Sequence, residues 1–156
     1  MKKISNQINN ERLWERHESL ANFGLCEDGG VNRQALSIDD LNARKQIVKW
    51  LEKTNIKVFT DDISNIFFRL EGIDKKSPPV LIGSHLDSQP SGGKYDGVFG
   101  VLAGIEIIQT LSEKKIIPEI PIEVVSWMNE EGSRFAPGMM GSAVFTGARS
   151  LEKIKK

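Results

Sequence analysis

The spacing of apolar positions changes several times along the chain, and each change marks an element. Over residues 10–23, Leu13, His17, Leu20 and Ala21 recur at helical spacing and predict an opening helix with one buried face. Gly29-Gly30 predicts a loop. Ser37-Ile38-Asp39-Asp40 has the spacing of a capping box with Asp in place of the usual Glu or Gln. Behind it, Leu41, Arg44, Ile47, Val48 and Leu51 share a stripe that Lys53-Thr54-Asn55 brings to an end. The pattern then turns strand-like. Residues 56–59 and 66–70 predict strands joined through Asp61-Asp62-Ile63-Ser64-Asn65, most simply as a hairpin. After the breaker Ser77-Pro78-Pro79, Val80-Leu81-Ile82-Gly83 is a brief continuous apolar run, the pattern of a strand covered on both faces.

A Gly-rich loop at 90–93 leads into a predicted helix over 97–111, with Val98, Val101, Leu102, Ile105 and Ile108 on its buried side. Pro118 and Pro121 flank the entry to a further buried strand at 120–128. Strand, helix, strand is a βαβ unit, so 80–83 and 122–128 are expected to run parallel. The fold class is therefore α/β, a mixed and partly parallel sheet flanked by helices. Residues 150–156 read as a charged helical beginning, and no repeat, low-complexity segment or internal linker divides the chain.

Composition narrows the function classes. The 156 residues are 39% apolar, with 21 basic and 21 acidic side chains and zero formal net charge, which describes one globular domain with no field for nucleic acid or an anionic membrane. A single cysteine, Cys26, cannot close an internal disulfide and fits a reducing, cytoplasmic setting. Met1-Lys2-Lys3 resembles the start of a leader, but polar residues 5–7 and 9–11 stand where its apolar stretch belongs, so export is not expected. No apolar run approaches a membrane span; Val98 to Ile105 is interrupted by Glu106.

Three short segments hold most of the candidate chemistry: Gly83-Ser84-His85-Leu86-Asp87, Gly92-Gly93-Lys94-Tyr95-Asp96-Gly97 and Trp127-Met128-Asn129-Glu130-Glu131-Gly132. On the βαβ reading, His85 and the Glu130-Glu131 pair leave the carboxyl ends of neighbouring parallel strands, and Asp96 sits just ahead of the crossover helix. That rim is where open α/β sheets place their sites. One imidazole with carboxylates is a donor set that suits zinc, with manganese or cobalt as substitutes. Asp87, two positions from His85, can accept the second ring proton, and adjacent glutamates permit one to bind metal while the other moves protons. Singly, these residues have plainer readings as a surface histidine, a turn dipeptide and solvated charge. Gly92-Gly93-Lys94 lacks the first glycine and the final Ser or Thr of a phosphate-binding loop, and the three spaced glycines of a dinucleotide site are absent. His17 is read as a helix-face residue, Cys26 as an inert thiol, and Trp14 and Trp50 as core or partly buried aromatics.

The run from Gly83 through Leu102 resembles the first metal-binding signature of the hydantoinase/carbamoylase family of zinc amidohydrolases, and the run from Trp127 through Ser142 resembles its second. Weaker likeness extends over residues 10–14, 29–33 and 61–67. The family includes N-carbamoyl-L-amino-acid hydrolases, β-ureidopropionases and allantoate amidohydrolases, related to the aminoacylase-like metallopeptidases. Carried over by position, the resemblance implies two divalent ions, zinc first, with His85 binding one, Asp96 bridging both and Glu131 binding the other. It implies that Glu130 is the general base acting on a metal-bridging water and that Asp87 orients His85. A carbamoyl substrate would yield an amino acid, carbon dioxide and ammonia.

The resemblance covers the amino-terminal portion of such enzymes. It implies that residues 1–156 form the first part of the catalytic metal-binding domain, without the lid and dimerisation domain, the later metal-ligating histidines or the contacts that hold the substrate carboxylate. A homodimer is expected of the full-length form, with a small N-carbamoyl or ureido substrate as its partner. The Ser88-Gln89-Pro90 segment favours carbamoyl amino acids or ureidopropionate, with allantoate the alternative. A product of a truncated gene, catalytically inactive and at most an interaction module, is the reading from a different class.

Overall fold

The computed structural model describes residues 4–154, so Met1-Lys2-Lys3 and the last two residues of the predicted 150–156 helix lie outside it. After a 3-10 turn at Ile4–Gln7, helix α1 (Asn10–Ala21) opens where the Asn9 side chain accepts the Arg12 N–H at 2.9 Å, satisfying one of the free donors of its first turn. Arg16, His17, Leu20 and Ala21 form its buried face. Trp14, expected to be core or partly buried, is 57% exposed. It lies one position past Leu13, at the edge of the packed stripe, and rests against Tyr95 with ring centroids 5.6 Å apart.

In α2 (Ile38–Leu51), Ser37 accepts the Asp40 N–H at 3.1 Å. The Asp40 carboxylate reaches back to the Leu36 N–H at 3.0 Å, one residue earlier than a capping box requires, and also pairs with Arg44 at 2.9 Å. These two bonds to the carboxylate let a charged side chain turn inward. The buried face becomes Asp40, Ala43, Ile47 and Leu51, and Leu41, expected on the stripe, is 44% exposed.

Strands β1 (Lys57–Thr60) and β2 (Ile66–Leu70) form the expected hairpin, in register Thr60 to Ile66 and Lys57 to Arg69. Its turn is closed by the Asp61 carboxylate, which accepts the N–H groups of Ile63 and Asn65. Strand β3 (Val80–His85) and strand β4 (Ile122–Trp127) run parallel, joined by α3 (Val98–Glu113), while β2 pairs with β4 antiparallel. The resulting sheet, in the order β1-β2-β4-β3, is mixed as expected. The apolar run of β3 predicts cover on both faces, yet the strand lies at the end of that order and Val80 is 48% exposed. A short apolar run reports burial by one face or two alike. Here α3 packs on one face of β3, and among the described residues no strand pairs with its free edge.

Ile66, Phe68, Leu70 and Val124 project from one side of the sheet into a core completed by Val101, Leu102, Ile105 and Ile108 of α3, Leu20 of α1, and Ile47 and Leu51 of α2. The other side carries Phe67, Val125 and the cross-strand pair Arg69–Glu123 at 2.6 Å. It is covered near Phe67 and Trp127 by Phe145 of α4 (Met140–Phe145). α5 (Leu151–Ile154) adds Leu151 and Ile154 to a small second cluster around Met128 and Met140. No helix among the described residues is long and apolar enough to cross a membrane.

The charge that interrupts α3 joins it to α1. Glu106 is 1% exposed and accepts from Arg12 Nε at 2.7 Å, Arg12 Nη2 at 2.8 Å, the Asn9 N–H at 2.9 Å and Thr110 Oγ1 at 2.9 Å. Burial pushes its carboxyl pKa up, but the Arg12, Asn9 and Thr110 hydrogen bonds outweigh it and hold the group below its ordinary value. Removing one partner of a buried pair strands the other, so Glu106→Ala is expected to destabilise the chain by about 3 kcal/mol at neutral pH. A carboxyl with a depressed folded pKa contributes stability above its unfolded value, about 4.3, and loses it as pH falls through the folded value. Urea unfolding at a series of pH values is expected to show the difference between wild type and variant shrinking below about pH 4.

Candidate metal centre

Because β3 and β4 are parallel and in register at their ends, His85 opposite Trp127, both chains leave the sheet at one rim. Gly83 permits this close pairing: a Cβ there would collide with the Val125 carbonyl oxygen, and its φ of +152° lies outside the range other residues readily adopt. His85 is buried at the end of β3, and its Nδ1 lies 2.9 Å from the Asp87 carbonyl oxygen. A carbonyl can only accept, so Nδ1 donates to it, and in the neutral ring Nε2 is the nitrogen that presents a lone pair.

The orienting group is thus the Asp87 backbone. The Asp87 carboxylate, expected to take the ring proton, is 3.7 Å from Nδ1 and does something else. It accepts the N–H groups of Glu130 and Glu131, each at 3.2 Å. Beyond the end of β3 at His85, the Asp87 carbonyl meets the ring while its carboxylate reaches across to the end of β4. Burial pushes the Asp87 carboxyl pKa up, opposed by these two N–H groups.

At the end of β4 the backbone turns sharply through Asn129, which is left-handed at φ +49° and whose side-chain amide donates to the Phe135 carbonyl at 2.6 Å. That turn aims consecutive N–H groups at Asp87 and separates the two glutamate side chains. Glu130 Oε2 lies 3.4 Å from His85 Nε2. Glu131 Oε2 accepts from the Gln89 side-chain amide at 2.8 Å. Asp96 arrives from the third segment, immediately before α3. Gly97, at φ +66°, lies directly beneath the imidazole: a Cβ there would sit 2.5 Å from His85 Nε2. With only hydrogen at that position, the ring packs over the start of α3, and His85, Asp96 and Glu131 each bring one ligand atom within 4.8 Å of the other two.

The loop between His85 and Asp96 has no regular structure and is held from outside. Val31 and Gly92 exchange N–H···O bonds at 2.9 Å. The Ser88 hydroxyl donates to the Val31 carbonyl and accepts the Arg33 N–H. The Arg33 guanidinium, 1% exposed, donates to the carbonyls of Leu86, Leu20 and Phe23 at 2.7, 2.8 and 3.0 Å. Neither Arg33 nor Gln89 has a periodic signature in sequence; only their membership of the runs that resemble the family sets them apart.

One neutral imidazole and two carboxylates, with Asp87 and Glu130 beside them, make a donor set of the kind divalent cations take, and binding one would relieve the repulsion among four acidic groups. The residues therefore fit a divalent metal. A groove along α2, past Leu41, Val48 and Ile66, includes none of these side chains; within the cluster His85 is buried, Glu131 half-buried and Asp96 exposed.

Comparison with known proteins gives consistent results. The model of peptidase family M28 matches residues 65–156. An N-carbamoyl-L-amino-acid amidohydrolase of Rhizobium meliloti is 42% identical over 146 residues, covering 94% of this chain and 35% of the relative. An allantoate amidohydrolase of Bacillus subtilis is 35% identical over 89% of this chain and 34% of its own length. The crystal structure of a hydantoinase/carbamoylase family amidase from Burkholderia ambifaria superposes with a TM-score of 0.90 at 49% identity, over 94% of this chain and 36% of that one. The chain thus spans about a third of the length of the relatives it matches.

Gly97→Ala places a methyl group where the His85 ring lies and also strains a positive φ. Zinc affinity, measured by competition with a chromophoric chelator, is expected to fall about 10–100-fold, the range seen when a ligand loses its orienting contacts. Unchanged affinity would mean that the ring position does not matter to binding.

Proposed function

The chain belongs to peptidase family M28, and from that membership we propose that it contributes the metal-binding rim of an amidohydrolase acting on the linear ureido C–N bond of N-carbamoyl amino acids. The observation that carries this reading is the meeting of His85, Asp96 and Glu131 at the carboxyl end of a parallel strand pair, with Glu130 against His85 Nε2. Support for the substrate class comes from the higher identity to the carbamoyl-amino-acid relative than to the allantoate one.

In this reading His85, Asp96 and Glu131 would hold two divalent ions, zinc first and manganese or cobalt as substitutes, with His85 serving one, Glu131 the other and Asp96 both. Ions bound there would polarise the ureido carbonyl and lower the pKa of a neighbouring water. The chain's own residues do the rest. Asp87 keeps a His85 proton on Nδ1 through its carbonyl and so leaves Nε2 of the neutral ring as the atom that would ligate a metal. Through its carboxylate, Asp87 fixes the backbone from which both glutamates project. Glu130 takes the proton of the attacking water and returns it to the leaving nitrogen, so its side chain must swing only between water and substrate while its backbone stays fixed.

Asp96 with one further residue for each ion would supply fewer protein donors than zinc sites use. The reading therefore assigns the remaining ligands, and the groups that grip the substrate carboxylate, to residues beyond these 156. This makes the chain the first part of a catalytic metal-binding domain. A homodimer of the complete form in a reducing, cytoplasmic setting belongs to the same proposal.

The division of labour between the glutamates is testable in the protein that carries this chain. Glu130→Gln is expected to retain its metal by elemental analysis and to lower turnover of N-carbamoyl amino acids by about 10²–10⁴-fold. Glu131→Ala is expected to bind metal measurably but more weakly, to retain less of it after dialysis, and to lose activity with it. Equal metal loss in both variants contradicts the assignment.

A further inference from the structure

Building on the metal-site reading above, we propose that Gln89 is a positioning residue for Glu131, holding one carboxylate oxygen so that the other alone is offered to a cation. Three observations carry it. The Gln89 amide nitrogen lies 2.8 Å from Glu131 Oε2. A carboxylate cannot donate, so the amide must present its N–H₂ to it, and the chemistry of the partner alone fixes which way the amide faces. Glu131 is also held at its backbone, where its N–H donates to Asp87 Oδ2 at 3.2 Å. With both ends tied, the carboxylate loses the rotation by which it would turn the other oxygen, or both, toward Asp96 and His85.

Gln89 can do this because its own place is set independently of the metal ligands. Its carbonyl accepts the Gly92 N–H at 3.1 Å, closing a turn, and Gly92 is paired through both backbone groups to Val31. The amide therefore projects from a backbone anchored mainly to the Val31 segment, with one further contact from Ser133 Oγ to the Ser88 carbonyl at 3.4 Å. Its exposure, in contrast to buried Asp87 and Arg33, means that the residue contributes little packing. A role through Glu131 is separable from a role in stability. An apolar side chain of similar length would keep the loop and remove only the donor. Freed from that donor, Glu131 samples two-oxygen and rotated arrangements, and a cation must select one of them on binding.

The test is a double-mutant cycle on zinc affinity, measured by competition with a chromophoric chelator, with thermal unfolding of the metal-free protein alongside. Gln89→Leu is expected to weaken zinc binding about 10–100-fold while leaving the metal-free unfolding temperature unchanged. In a Glu131→Ala background the same substitution is expected to cost nothing further, because the residue it acts through is gone. If Glu131→Ala weakens binding but Gln89→Leu does not, or if the two losses simply multiply, Gln89 does not act through Glu131 and the proposal falls alone. If zinc binding survives Glu131→Ala intact, the metal-site reading fails and the proposal falls with it.

Discussion

The buried carboxylate of Asp87 joins the two halves of this rim. It stands at the end of β3 and receives the first two N–H groups beyond the turn that ends β4. A carboxylate in a low-dielectric setting needs such donors, and the loop at Glu130 and Glu131 needs an acceptor for N–H groups that no strand or helix satisfies. Each side thus meets the other's requirement, and the two strand ends are drawn together at fixed spacing. The same residue's carbonyl sets the His85 tautomer. One side chain and one peptide group accordingly decide where both glutamates start and which nitrogen of His85 faces them.

Everything else at the rim is arranged around that joint. The parallel register brings His85 level with the end of β4, and Gly83 lets the strands approach closely enough to hold it. Asp96 is placed just ahead of α3, whose start lies directly under the imidazole, which only a glycine at position 97 allows. α3 is in turn located by its apolar face in the core and by the Glu106–Arg12 pair with α1. The segment around Val31 and Arg33 then pins the loop that spans from His85 to Asp96. The ligand atoms therefore converge before any cation is considered, which lowers the ordering cost of binding one.

Much of this is legible in the sequence because it rests on period and spacing. The hairpin, the βαβ unit and the convergence of its strand ends all follow from patterns that local physics reads directly. Where the structure departs from those patterns, the causes are identifiable. The Val80-Leu81-Ile82-Gly83 run has no polar alternation whether a strand is interior or at an edge, so its place at the end of the sheet is hidden. Hydrophobicity favours Leu41 over Asp40 as a buried position because it cannot anticipate the two hydrogen bonds that the Asp40 carboxylate accepts. For Asp87 the spacing to His85 is informative, but the residue offers both a carbonyl and a carboxylate, and sequence does not say which meets the ring. Arg33 and Gln89 act over long separations through single contacts, and no periodicity encodes those.

The central claim is that His85, Asp96 and Glu131 together hold a pair of divalent cations, with Asp96 common to both. Zinc-edge anomalous diffraction from crystals grown with zinc tests it most directly. The account predicts two anomalous peaks that share Asp96, one about 2.0–2.2 Å from His85 Nε2 and the other at about that distance from a Glu131 carboxylate oxygen. Zinc found instead at His17 or at scattered surface carboxylates, with these three side chains unligated, would contradict it.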